Sequence, residues 1–360
     1  MFQFKRIAVK IGSNVLTKED GTLDTGRMSA LVAQVALLHR KGVEIILISS
    51  GAVASGRSEL KVQKQLDAVS QRQLFSAVGQ AKLINRYYEL FREHRIICGQ
   101  VLTTKENFSS RRHYLNQKHC MNVMLESGVI PIVNENDTIS VTELMFTDND
   151  ELSGLIATMM GAEALIILSN IDGIYDGNPN HPDANVIRSI ENGGKDISAY
   201  IQSGKSAFGR GGMLTKYHIA RKVAEEGVTV IIANGKQENI LLQLLEKDSQ
   251  QLCTRFIANP RSVSNVKKWI AHSDDFAKGE IHVNEGAKTA LLGDKATSLL
   301  SVGITCVKGR FEKDDIVKIM DDSGVQIGVG RVSYDHRKVQ ELTGKKGNKP
   351  VIHYNYLYLD

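Results

Sequence analysis

The chain has 360 residues with 45 Lys plus Arg against 40 Asp plus Glu, a formal net charge of +5, and 42% of its residues are hydrophobic. That length suits two domains, and the composition excludes disordered, collagen-like and fibrous classes. The apolar runs at 164–168 and 228–233 fall far short of the roughly 20 residues that cross a bilayer, and no signal-peptide core is present, so no membrane partner is expected. Cys98, Cys120, Cys253 and Cys306 show no C-x-x-C spacing, which argues against a zinc site or disulfide framework and for a reducing, cytoplasmic setting.

In chain order, short apolar runs alternate with helical patterns as far as residue 255. Strands are predicted at 7–11, 43–48, 96–102, 129–133, 164–168 and 228–233. They are rich in Val and Ile without alternation, as strands buried on both faces should be. Helices are predicted at 23–40, 74–94, 111–126, 149–160 and 213–226, from apolar residues spaced three and four apart. Gly42, Gly128, Gly161 and Gly227 stand where a left-handed residue would end a helix. The fold class is therefore α/β, an open and mostly parallel sheet sandwiched by helices, over 1–255. Residues 256–278 lose the period and read as a linker. Strands at 279–283, 303–307, 316–320, 326–331 and 351–359 then describe a small β-rich domain over 279–360.

Five of the strands end in small polar residues: Gly12-Ser13-Asn14, Ser49-Ser50-Gly51, Asn134-Glu135-Asn136-Asp137, Ser169-Asn170 and Asn234-Gly235. Ligands bind outside the carboxyl ends of parallel strands, so this row maps a cleft, although turns favour the same residue types. Lys10 sits in an otherwise apolar strand and needs an anion, either a ligand phosphate near Gly12 or a neighbouring carboxylate. Gly209-Arg210-Gly211-Gly212-Met213 opens a helix that carries Lys216 one turn in. Such an N-terminus suits phosphate, the alternative being an ordinary loop with a solvated lysine. Asp148-Asn149-Asp150 opens another helix, as site residues or as simple caps. The P-loop pattern fails at Ala199, and the dinucleotide pattern fails at Leu214.

Cations at both ends of a transferring group, glycine loops and orienting acids describe phosphoryl transfer. The segments Val9-Lys10-Ile11-Gly12-Ser13, Ser49-Ser50-Gly51-Ala52, Val133-Asn134-Glu135-Asn136-Asp137, Asp148-Asn149-Asp150, Asp172-Gly173-Ile174-Tyr175 and Gly211-Gly212-Met213 with Thr215-Lys216 together resemble the bacterial glutamate 5-kinases of the amino acid kinase family. Gly279-Glu280-Ile281, Asn284-Glu285-Gly286-Ala287 and Ser298-Leu299-Leu300 resemble a PUA domain. The sequence departs from the family at Ser169-Asn170, where Thr-Asp is common, and at Arg210, where Thr is common.

The resemblance implies ATP-dependent phosphorylation of the side-chain carboxylate of L-glutamate, the first step of proline biosynthesis. It implies Lys10, Asp150 and Lys216 as the catalytic set. Ser50, Gly51, Asn134, Asp137, Asp148 and Asn149 are implied on the glutamate, with Asp137 on its ammonium. Lys10, Gly12, Ser169, Asn170, Arg210, Gly211, Gly212, Met213, Leu214, Thr215 and Lys216 are implied on ATP, with Mg²⁺ bridging the phosphates. A homo-oligomer, feedback inhibition by proline and contact with glutamyl phosphate reductase are further implications. The alternatives are a related kinase acting on N-acetylglutamate, aspartate, carbamate or UMP, and an RNA-binding protein on a kinase-like scaffold. From residue 280 onward 12 basic residues face 11 acidic ones, which disfavours nucleic acid as a partner.

Overall fold

The computed structural model describes residues 3–60, 66–109, 111–139, 149–179, 181, 183–191, 194, 197, 212–247, 249–260, 270, 277–293 and 297–359. The chain divides into two units, Met1–Lys105 with Asn116–Ser262, and Glu106–Leu115 with Val263–Asp360.

The first unit is built on an eight-stranded sheet. Its strands are β1 (Arg6–Ile11), β2 (Glu44–Ser49), β3 (Ile97–Thr103), β4 (Val129–Glu135), β5 (Ala164–Ser169), β6 (Ser189–Ile190), β7 (Thr229–Asn234) and β8 (Cys253–Phe256). They lie in the order β3-β4-β2-β1-β5-β7-β8-β6. The six predicted strands are the parallel part, while β8 runs antiparallel to β7. β6 and β8 escape a sequence reading because two and four residues carry no period. β8 carries the sheet to Phe256, so residue 256 belongs to a strand; most of the predicted linker lies outside the described residues. The chain leads from β1 to β2, on to the edge strand β3, back inward to β4 between β3 and β2, and then to β5 on the other side of β1. This reversal leaves a crevice at the carboxyl ends of β1, β2 and β5.

Among the described residues, the helices up to β8 are α1 (Ser13–Leu16), α2 (Thr25–Arg40), α3 (Ala52–Glu59), α4 (Ala68–Glu93), α5 (Glu106–Ser109), α6 (Arg111–Glu126), α7 (Asn149–Met160), α8 (Met213–Glu225) and α9 (Ile240–Leu245). The four predicted terminating glycines all have positive φ, between 63° and 88°. Two differences bear on the site. No helix is expected at 52–59, yet α3 forms there, and α4 starts at Ala68 rather than at 74, with Asp67 accepting from the backbone N–H of Val69 and Ser70. The two helices cross at backbone distance. A Cβ on Gly56 would lie 1.8 Å from the Phe75 carbonyl oxygen, and one on Gly79 would lie 1.8 Å from that of Ala52. Only glycine permits this crossing, and a single-sequence pattern does not reveal it.

The second unit holds a five-stranded sheet, β9 (Gly279–Val283), β10 (Ile304–Gly309), β11 (Ile316–Met320), β12 (Gln326–Arg331) and β13 (Leu357–Leu359), in the order β10-β9-β11-β12-β13. Its core includes Ile281, Phe311, Val317, Ile319 and Val351. Two short helices, α10 (Glu285–Leu292) and α11 (His336–Leu342), are additional to the expected strands. The strand expected at 351–359 is confined to its last three residues, because Tyr354–Tyr356 forms a 3-10 turn and Ile352 makes only an isolated bridge to Leu299.

Candidate active site

A cleft of about 760 Å³ opens at the carboxyl ends of β1, β2, β4 and β5. Four of the five polar strand ends line it, represented by Gly12, Ser50, Asn134 and Ser169. The fifth does not: Asn234 donates to the Asp172 carboxylate at 3.0 Å, and Gly235 packs against Val15 and Leu168.

At the centre of the cleft two lysines converge on one acid. Asp150, in the first turn of α7, has no solvent exposure. Its Oδ1 lies 2.5 Å from Lys10 Nζ and its Oδ2 lies 2.8 Å from Lys216 Nζ. Burial pushes the Asp150 carboxyl up, but the charges of Lys10 and Lys216 outweigh burial and hold it down at about 2. The positive end of the α7 dipole acts in the same sense. Asp150 is therefore an anion at neutral pH and a poor proton acceptor. Lys10 thus has the carboxylate partner that was one of its two sequence readings, while also lining the cleft. Lys216 is brought to Asp150 by close packing of α8 on α7: a Cβ on Gly154 would meet Val223 at 2.8 Å and Ile219 at 3.2 Å.

On one side of this triad lies a polar network. The Asn149 amide donates to Ser50 Oγ at 2.9 Å and to Asn134 Oδ1 at 3.0 Å, and the Asn134 amide donates to Gln80 Oε1 at 2.9 Å. Ser49 Oγ and the Tyr87 hydroxyl are 2.9 Å apart beneath it. Burial pushes the Tyr87 phenol up to about 12, so it stays protonated. Asp137 and Glu135, both buried, share Arg72 from α4. Arg72 Nε donates to Asp137 Oδ1 at 2.5 Å and Nη2 donates to Glu135 Oε2 at 2.6 Å; Ser76 Oγ donates to Asp137 Oδ2 at 3.2 Å. Arg72, Ser76, Gln80 and Tyr87 all come from α4 and are absent from the residues expected from sequence. Arg72 precedes the helix predicted from residue 74 and, in the polar run Gln71-Arg72-Gln73, reads as an ordinary solvated arginine, so no local signal marks it.

On the other side, Gly12, Ser169, Asn170, Gly212 and Met213 line the cleft. Gly212 precedes α8 with no side chain capping the helix, so the positive end of its dipole faces the same space as Lys216. The N–H of Gly12 is not offered to the cleft, since it donates to the Leu168 carbonyl at 3.1 Å. Leu214 and Thr215 do not line the cavity, because they point from other faces of the first turn of α8. Asp148, Arg210 and Gly211 lie outside the described residues. Among the described residues no cluster of three or more His, Cys, Asp or Glu is placed to hold a metal ion. The cleft carboxylates of Glu135, Asp137 and Asp150 are each engaged by Arg72 or a lysine.

Comparison with known proteins gives a consistent picture. Residues 5–234 match the model of the amino acid kinase family, and residues 279–354 match the PUA domain. The chain is 70% identical over 358 residues to a glutamate 5-kinase of Bacteroides thetaiotaomicron, covering 99% of each chain. It is 47% identical to a glutamate 5-kinase of Chlorobaculum tepidum, covering 99% of this chain and 98% of that protein. Among solved structures, carbamate kinase from Giardia lamblia bound to AMP-PNP superposes with a TM-score of 0.51 at 15% identity, over 72% of this chain and 100% of that one, which shows the common fold. Among the described residues no helix is long and apolar enough to cross a membrane.

Proposed function

Since the chain belongs to the amino acid kinase family and, within it, to the glutamate 5-kinases, we propose that its cleft transfers the γ-phosphoryl group of ATP to the side-chain carboxylate of L-glutamate. The observation that carries this reading is the pair of ammonium groups, Lys10 and Lys216, held by one buried acid between a polar pocket and an uncapped helix N-terminus.

A glutamate side-chain carboxylate has an ordinary pKa near 4.3 and is already ionised at neutral pH, so the reaction needs no general base. Its oxygen attacks the γ-phosphorus, a new O–P bond forms, the bond to the β-γ bridging oxygen breaks, and ADP leaves with that electron pair. The remaining task is to position two anions and stabilise the charge on the phosphoryl oxygens in flight. Lys10 and Lys216 carry that charge, and Asp150 keeps both in place. Ser50, Asn134 and Asn149 orient the acceptor, together with Gly51 and Asp148, and Asp137 receives its ammonium. Ser169, Asn170, Gly212 and Met213 meet the nucleotide, together with Arg210 and Gly211. The cleft carboxylates, already engaged by cations, suit an ion carried on the nucleotide better than a resident one, and Mg²⁺ brought with ATP as part of the substrate would supply charge neutralisation there.

With ATP, Mg²⁺ and hydroxylamine, L-glutamate is expected to give a hydroxamate by trapping of the acyl phosphate, while N-acetylglutamate and aspartate give none. A signal from either of those with none from glutamate would overturn the reading. Asp137→Asn is expected to raise the KM for glutamate about 10- to 100-fold with a smaller change in kcat, since it removes one charge-assisted contact made in ground and transition states alike. An unchanged KM would remove Asp137 from the ammonium site.

A further inference from the structure

We propose that Arg72 is a specificity-determining residue that binds the α-carboxylate of the acceptor amino acid, beside the ammonium site at Asp137. The proposal rests on the glutamate kinase reading and names the part of the cleft that tells an α-amino acid from a simple ω-amino acid.

A free amino acid carries a positive and a negative group on one carbon, so its receptor needs an anion and a cation side by side. In this cleft Asp137 and Arg72 are such a pair, joined at 2.5 Å through Oδ1 and Nε. Asp137 Oδ2 accepts only the 3.2 Å contact from Ser76 among the described residues, so it retains capacity to accept from an ammonium. Arg72 uses Nε and Nη2 on the two carboxylates, and no described residue accepts from Nη1. Those two N–H donors remain on a guanidinium that lines the cleft. Glu135 and Asp137 brace the group from one side, which fixes the plane of the fork before a ligand arrives.

The other cations lining the cleft are less suited to the α-carboxylate. Lys10 and Lys216 are committed to Asp150 and to the phosphoryl end. Arg57 is exposed, with its guanidinium 5.6 Å from the centre of the Phe75 ring. An arginine in place of a lysine at position 72 also has a reason here, since three separate N–H directions are needed at once: two for the carboxylates and one for the ligand.

The test compares L-glutamate with 4-aminobutanoate, which is glutamate without its α-carboxylate, as substrate or as competitor. In Arg72→Met, the KM for glutamate is expected to rise about 10- to 100-fold, the loss of one hydrogen-bonded charge contact, while the constant for 4-aminobutanoate moves less than about threefold. Arg72→Lys keeps the charge without the fork and is expected to give a smaller rise of the same kind; it serves as the test if the methionine variant does not fold, with nucleotide binding as the check on folding. Equal losses for the two compounds would assign Arg72 to holding Asp137 and overturn the proposal, as would an unchanged KM for glutamate. A glutamate-selective loss in Arg57→Met and none at Arg72 would overturn it too. If the unaltered protein makes no hydroxamate from glutamate, the functional reading fails and not the assignment of Arg72.

Discussion

Asp150→Asn is expected to lower kcat by about 10³-fold while leaving the KM for glutamate within a few-fold. The carboxylate touches Lys10 and Lys216 at once, at 2.5 and 2.8 Å, so its loss leaves two like charges facing each other in a buried space. They separate, and displacement of a charge-stabilising group by about 1 Å is enough to cost roughly 10²-fold. Two lysines displaced together account for the larger figure, and the effect falls on kcat because their charge is needed most as the phosphoryl group moves. Lys10→Ala and Lys216→Ala are each expected to reduce kcat in the same way. Steady-state kinetics with both substrates varied would decide it, and an unchanged kcat in Asp150→Asn would exclude the triad from the chemistry.

The same substitution has a stability signature. Breaking a buried ion pair by removing one partner costs about 3 to 5 kcal/mol. In the unaltered protein the Asp150 carboxyl is held at about 2, below its ordinary 3.8. Because the folded-state value is the lower one, this stabilisation is complete above the ordinary carboxylate range and is lost as pH falls from there through about 2. Over that window it is worth about 2 kcal/mol. Denaturant unfolding of the two proteins should therefore show a stability gap at pH 7 that narrows below pH 4. A gap that stays constant to pH 2 would contradict the assignment of the charge to Asp150.

Gly79→Ala is expected to be the most damaging single-methyl change near the cleft. The added carbon would lie 1.8 Å from the Ala52 carbonyl oxygen and 2.4 Å from the Gly56 nitrogen, both backbone atoms that cannot swing away. Overpacking of this kind costs about 3 kcal/mol or more, equivalent to a fall of roughly 5–10 °C in Tm for a unit of this size. α4 must shift away from α3, carrying Arg72, Ser76 and Gln80 with it, so the KM for glutamate should rise more than the KM for ATP. Thermal unfolding combined with the two KM values checks this. A variant with native Tm would show that the two helices do not need their close crossing.

Legibility from sequence divides along the same lines. The parallel strands could be read because each is a short Val- and Ile-rich run, and a strand buried on both faces has little choice of composition. Lys10 stands out because a lysine in an apolar strand is locally unusual, whereas Asp150 and Lys216, which read equally as a cap and a solvated lysine, are singled out by the family resemblance. α3 could not be read, since Ala-Val-Ala-Ser-Gly-Arg-Ser-Glu contains a glycine that looks like a breaker and is in fact a helix contact. Leu214 and Thr215 fell within a motif whose helical rotation turns them away from the cavity, a consequence of geometry that a run of letters does not express.

By itself the sequence determined the fold class, the strand ends that carry polar residues, the family and the identities of the three charged groups at the centre. Local composition is sufficient for the fold class and the strand ends, because burial and turn formation act residue by residue; the family and the three charged groups rest on the resemblance of whole motifs. Only the tertiary structure decided how those groups are partnered. It placed one carboxylate between two lysines, closed the network from Ser50 through Asn149 and Asn134 to Gln80, and brought Arg72 across 65 residues to Asp137. Charge pairing acts over a few ångströms in space and is indifferent to separation along the chain, so the helix crossing at Gly56 and Gly79 determines where Arg72 meets its acids.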